Sequence, residues 1–190
     1  MSVAPIMSTE TLLAAIQNGL QPTYLFFWGH RPRPDGSIGA SCLSQWWAAP
    51  FTVEGITYAT AEHCMMAEKA RLFGDHRAYA QILAASHPEV AKKLGRTVQG
   101  FEEQRWVQQR DAIVVQGNMA KFGQHAALRR FLVQTGERIL VEASPVDRVW
   151  GIGLAADAPA ATRPAQWRGL NLLGFALMQV RAHLCHGTCP

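Results

Sequence analysis

Two carboxylates and two indoles stand where their chemistry can be used. Glu62 lies in Tyr58–Leu72 (Y-A-T-A-E-H-C-M-M-A-E-K-A-R-L), a strand-to-helix passage with the acid at the mouth of the helix. Asp147 precedes Trp150 in a turn between a strand and the glycine-rich stretch Trp150-Gly-Ile-Gly153, and Trp106 is early in a long helix. Acids beside flat rings suit cleavage of the bond from a sugar C1 to a base nitrogen. The oxocarbenium-like transition state wants a carboxylate to stabilise the cation or hold water, and the departing base wants help in leaving. A ring stacked on the base is worth about 1–3 kcal/mol. Each feature alone has a plainer meaning, since a first-turn acid complements the helix dipole and a helical tryptophan usually packs in core.

Other chemistries lack their signatures. No GxxxxGK[ST], GxSxG or HExxH occurs, and Gly151-Ile-Gly153 has neither the third glycine nor the βαβ setting of a dinucleotide site. The seven histidines show no metal spacing. His63, within the helix mouth, is read as structural. Cys185-His186 and Cys189 have no second ligand pair and read as a tail rather than a metal site. No cofactor and no metal is expected.

The 190 residues, 48% hydrophobic and 17% charged, suit one globular domain with a substantial core. No apolar run approaches the ~18 residues of a membrane span. The N-terminus shows no secretory pattern, and four scattered cysteines read as reduced thiols, so the expected location is cytoplasmic with no membrane partner. The formal charge is +4 with a pI near 9.1, yet no Lys/Arg block exists. That argues against a nucleic-acid-binding stripe and suits a small phosphorylated substrate.

These residues need elements to position them. Met7–Leu20 reads as a helix capped by Ser8 or Thr9, Tyr24–Trp28 as a strand, and Arg31–Gly36 as a loop. Phe51–Tyr58 reads as a hairpin turning at Glu54-Gly55. Thr60 caps the helix that carries Glu62, Met66, Lys69 and Phe73 on one face, and Gly74 closes it. Asp75 caps a second helix. Ser86-His87-Pro88-Glu89 matches a capping box for a third, ending at Gly95. A long helix runs from Glu102 to Phe122, weakened at Gly117, and another spans His125–Thr135. Arg138–Ala143 is strand-like, residues 155–168 suggest a flexible lid, and Asn171 caps a final helix through Leu184. Separated short strands among many helices predict an α+β fold, a single compact domain that is predominantly helical.

At this point the chain resembles the NADAR domain family. The matching stretches are Pro50–His63 (P-F-T-V-E-G-I-T-Y-A-T-A-E-H), Ala67–Ala70 (A-E-K-A), Gly95–Phe101 (G-R-T-V-Q-G-F) and Trp106. Ala120–Phe122 (A-K-F), Leu140–Leu154 (L-V-E-A-S-P-V-D-R-V-W-G-I-G-L) and Trp167–Arg181 follow in order. The likeness runs from about Tyr24 to Leu184, leaving residues 1–22 as a helical extension, 23–185 as the domain and 186–190 as a tail. Departures are Gln45 where the family often has Asn, Ala59 where it has Pro, and Cys64 where it has an aromatic. They bear on substrate shape more than on the reaction.

The resemblance implies an N-glycosidase acting on ribosyl-linked nitrogen, either a phosphoribosylamino-pyrimidine of the riboflavin pathway or an ADP-ribosylated base. It places the family's acid on Glu62, its helix tryptophan on Trp106 and its D-x-x-W pair on Asp147 and Trp150. Glu62 and Asp147 are the expected catalytic residues. Trp106, Trp150, Lys69, Arg96 and Asn171 are expected at the substrate, with Lys69 and Arg96 on phosphate. Nucleic acid enters only as an ADP-ribosylated substrate, and oligomeric state is not legible. The alternative is a module that binds ADP-ribose or another NAD-derived ligand without turnover.

Overall fold

The computed structural model describes residues 5–186. In chain order the elements are α1 (Thr9–Gln17), β1 (Tyr24–Phe27), β2 (Phe51–Val53), β3 (Ile56–Tyr58), α2 (Ala61–Leu72), α3 (His76–Leu83), α4 (Pro88–Gly95), α5 (Glu103–Gln124), α6 (Ala126–Gln134), β4 (Ile139–Glu142) and α7 (Leu172–His186). Single 3-10 turns occupy Ala40–Leu43 and Pro164–Gln166. The fold is α+β and predominantly helical, as its sequence predicts. The chain divides into two compact units, one running to Ser44 and resuming at Arg130, the other Gln45–Arg129.

In the first unit β1 and β4 pair in parallel, Tyr24 opposite Ile139 and Phe27 opposite Glu142. Leu12, Ile139, Val141, Ile152, Leu154 and Ala161 form its core. Helix α7 packs on β4 so closely that a Cβ at Gly174 would fall 2.1 Å from Leu140 O. Ser8 caps α1 in a reciprocal box with Thr11. The expected lid is instead built into this unit. Ala161 is fully buried, and the Trp167 indole N–H donates to Ala161 O at 2.8 Å. Successive turns over 155–167 satisfy the backbone internally, and the alanines that made the sequence look featureless are what lets it lie against the core.

The second unit is arranged around α2, which contacts α3, α4, α5 and β3. Ala61 through Ala67 are all buried, which is why no single apolar stripe marks this helix. The hairpin turns through Glu54 (φ 50°) and Gly55 (φ 80°), the left-handed pair a two-residue turn needs. The capping box expected at Ser86 does not form. His87 is the N-cap of α4, without a side-chain cap bond, and Pro88 takes the first helical position, where its missing N–H costs nothing.

Candidate active site

Glu62 is delivered by the start of α2. Thr60 is extended (φ −148°, ψ 166°) and its hydroxyl caps the His63 N–H, so Glu62 falls in the first turn. The Glu62 side chain is 2% exposed, and its N–H donates to Gln45 O at 2.9 Å. Asn118 of α5 holds Gln45 in turn, its amide N–H donating to Gln45 Oε1 at 2.8 Å and to Val114 O at 2.9 Å. Two acceptors facing one nitrogen fix the orientation of both amides. Gln45 Nε2 and Asn118 Oδ1 are thereby left buried, without an internal hydrogen bond. Fully buried Lys121 lies on the same stretch of α5, its Nζ 4.9 Å from the Phe122 ring centroid.

His63 is tied down at both ring nitrogens. Nε2 lies 3.1 Å from Ala85 O and Nδ1 2.8 Å from the Thr60 hydroxyl. A carbonyl only accepts, so Nε2 carries the proton and Thr60 O–H donates to Nδ1. Burial, seconded by nearby His87 and opposed by the Ala85 bond, lowers the imidazole pKa. The histidine is neutral, and its structural reading is what the geometry supports.

Two turns further along α2, Lys69 Nζ donates to Gly95 O at 2.9 Å and sits 4.2 Å from the Phe101 ring and 5.5 Å from that of Trp106. Burial lowers its pKa, and Glu103 partly opposes this. The ammonium thus fastens the 95–101 loop to α2 through the Gly95 carbonyl and the Phe101 face, and meets the Trp106 face of α5 as well. Trp106 is buried, whereas Arg96, following the bonded carbonyl, is exposed. Glu62, Lys69, Arg96 and Trp106 therefore all belong to the second unit.

Asp147, Trp150 and Asn171 belong to the first. Asp147 Oδ1 accepts from Val149 N at 2.9 Å and Trp150 N at 2.8 Å, and its own N–H donates to Ser144 Oγ at 3.2 Å. Asp147 and Trp150 are half-buried, held by one tight turn. Glycines make that turn possible. A Cβ at Gly169 would lie 2.3 Å from Gly151 O, and one at Gly151 would lie 2.8 Å from Glu142 O. Asn171, at φ 54°, is fully buried. Its Oδ1 accepts from Glu142 N at 3.0 Å and its Nδ2 donates to Leu140 O at 2.9 Å. It stands in for a neighbouring strand while its carbonyl accepts from Phe175 N at 3.2 Å as α7 begins.

Sequence reasoning did not single out Asn118 or Lys121, and it read Gln45 only as a departure from the family pattern; Gln45 is joined to Glu62, and Asn118 to Gln45, by hydrogen bonds. The signal was present in α5, where Val114, Gly117, Asn118 and Lys121 share one face and two of the four are polar. Polar residues on the buried stripe of a helix ask for a partner or a function. Among the described residues, no three His, Cys, Asp or Glu side chains are grouped to hold a metal ion.

A helix-dominated α+β fold with a capped, buried acid at one helix mouth and an Asp-Trp turn on a strand end defines a recognisable class. The NADAR domain matches residues 26–185. N-glycosidase R617 of Acanthamoeba polyphaga mimivirus is 39% identical over 163 residues, covering 83% of this chain and 94% of that protein. N-glycosidase YbiA of Escherichia coli (strain K12) is 33% identical over 169 residues, covering 89% and 93%. The NMR structure of E. coli YbiA superposes with a TM-score of 0.69 at 29% identity over 88% of each chain. The chain belongs to the NADAR domain family, and its relatives place it among the N-glycosidases, hydrolases of N-glycosyl bonds.

Proposed function

We propose that this chain hydrolyses the C1–N bond between a phosphate-bearing ribose and a flat nitrogenous base. The substrate is a phosphoribosylamino-pyrimidine or an ADP-ribosylated base. Water adds its hydroxyl to C1, and its proton goes to the departing nitrogen. The observation that carries this reading is Glu62, a buried carboxylate held at a helix mouth by the Thr60 cap and Gln45 O. Such an acid stabilises the oxocarbenium ion or orients the water. Asp147 assists the water or the leaving group, Trp106 and Trp150 offer faces to the base, and Lys69 and Arg96 supply charge for phosphate. Asn171, with both amide ends on β4, serves the substrate by holding the Asp147–Trp150 turn in place. Among the described residues, Cys42, Cys64 and Cys185 form no disulfide, which suits work in the reducing cytoplasm.

The test is incubation with both substrate types, with mass detection of released ribose phosphate or ADP-ribose. Glu62→Gln should lower kcat about 10²–10⁴-fold and leave Tm nearly unchanged. Full activity in that variant removes Glu62 from the mechanism. Binding heat with ADP-ribose and no product from either substrate would make the chain a ligand-binding module instead.

A further inference from the structure

We infer that Trp28 is a stacking surface for a flat heterocyclic base of the substrate, a binding role outside the acids and indoles described above. The inference rests on the N-ribosyl reading of the substrate. β1 ends at Phe27, which is 3% exposed, and successive side chains along a strand alternate in direction. Trp28 follows at 61% exposure, the most exposed Phe, Tyr or Trp among the described residues. At that exposure the ring contributes little to the core.

The surroundings suit a ligand. Ala143 N donates to Phe27 O at 2.9 Å, which extends the parallel ladder by one step and sets Trp28 level with Ala143. Trp28 is therefore at the carboxyl ends of the two parallel strands. The same end leads directly into Ser144 and the Asp147 turn. Gly29, at φ 76°, bends the chain away after the indole, and a Cβ built there would meet nothing within 4 Å. Val146 and Val149 in the turn that follows β4 are 85% and 39% exposed. A single indole ring is far too narrow for a stable protein interface, which needs about 1,200 Å² or more. A single flat ring matches it, and the reaction supplies one as its leaving group.

Two bases could occupy the ring: the leaving base, or the adenine of an ADP-ribosyl substrate. Kinetics of the full chain on a phosphoribosylamino-pyrimidine and on ADP-ribosyl-guanosine distinguish them. Trp28→Ala should raise KM on the order of ten-fold with Tm unchanged, and Trp28→Phe should restore most of the loss. A rise with both substrates assigns the leaving base, and a rise with the ADP-ribosyl substrate alone assigns the adenine. An unchanged KM in Trp28→Ala, or a Trp28→Phe as damaged as the alanine variant, overturns the inference. So does a change in light-scattering mass without a change in KM. Tryptophan emission titrated with AMP and GMP gives a readout that needs no turnover. Quenching present in the wild type and lost in Trp28→Phe supports the platform, and equal quenching in both overturns it. If the wild type cleaves neither substrate, the reaction assignment fails while this titration still decides the role of Trp28.

Discussion

Glu62 and His63 are neighbours in sequence that are held in different ways. The acid is held by its own backbone N–H on Gln45 O, while the imidazole must stay neutral to accept from Thr60 O–H and donate to Ala85 O. The His63 pKa is lowered from 6.5, burial being the largest cause. Between that ordinary value and its lower folded value the unfolded chain takes a proton that the native chain refuses. Stability is therefore fully present above pH 6.5 and falls as the pH drops below it. A protonated Nδ1 would also turn the Thr60 hydroxyl away from its donor role and loosen the cap that presents Glu62. We expect Tm to fall between pH 7 and pH 5.5, and His63→Gln to flatten that fall relative to wild type. Thermal scans of both proteins across this range measure it, and parallel curves would show that another group titrates. At the same scale, Cys64, which replaces a family aromatic, is buried and its thiol is pushed up to about 12, so it serves packing rather than nucleophilic chemistry.

Packing at the level of elements explains what composition left obscure. Gly117 reads in the sequence as a flaw in the long helix, costing about 1 kcal/mol against alanine. In the fold it lets α5 approach α2, since a Cβ there would lie 3.0 Å from Cys64 Sγ. Gly117→Ala gains the helix propensity but overpacks this contact, a penalty of about 1–3 kcal/mol. The expected net change is a loss of up to about 2 kcal/mol in a urea titration. Adding Cys64→Ala should recover much of it, because the two changes share one contact and do not add. Elements whose signals are local were legible: the Glu54-Gly55 turn, the Thr60 and Asp75 caps, and the β4 run between Arg138 and Pro145. The integration of residues 155–167 was not, because Ala161 and Trp167 are placed by long-range packing that has no local pattern. The Gln45–Asn118 bond spans 73 positions, and nothing at either end announces the other. Glu62 was legible because its cap and its acid sit side by side in the chain.

Charge is a property of the whole molecule, and it bears on what form the substrate takes. Eighteen Lys and Arg residues against fourteen acids give +4, without any block of like charge. Several cations are committed internally: Arg181 Nη1 donates to Thr135 Oγ1 at 2.7 Å and Arg138 O at 2.9 Å, and Lys93 pairs with Glu89 at 2.9 Å. A protein that tracks a nucleic-acid backbone neutralises many phosphates and loses affinity steeply with salt, log K falling with log salt at a slope of about −0.9 per phosphate on duplex DNA. On the proposed reading, the chain needs charge for only the one or two phosphates of a ribosyl unit. For a free phosphoribosyl or ADP-ribosyl substrate, log KM against log salt should therefore rise with a slope of no more than about 2. When the same ADP-ribosyl group is carried on an oligonucleotide, the slope should remain close to that of the free compound, because the protein grips the modification and not the strand. Initial rates from 50 to 500 mM salt, run on both substrates, test this. A slope several-fold steeper on the oligonucleotide would show that the protein grips the strand as well.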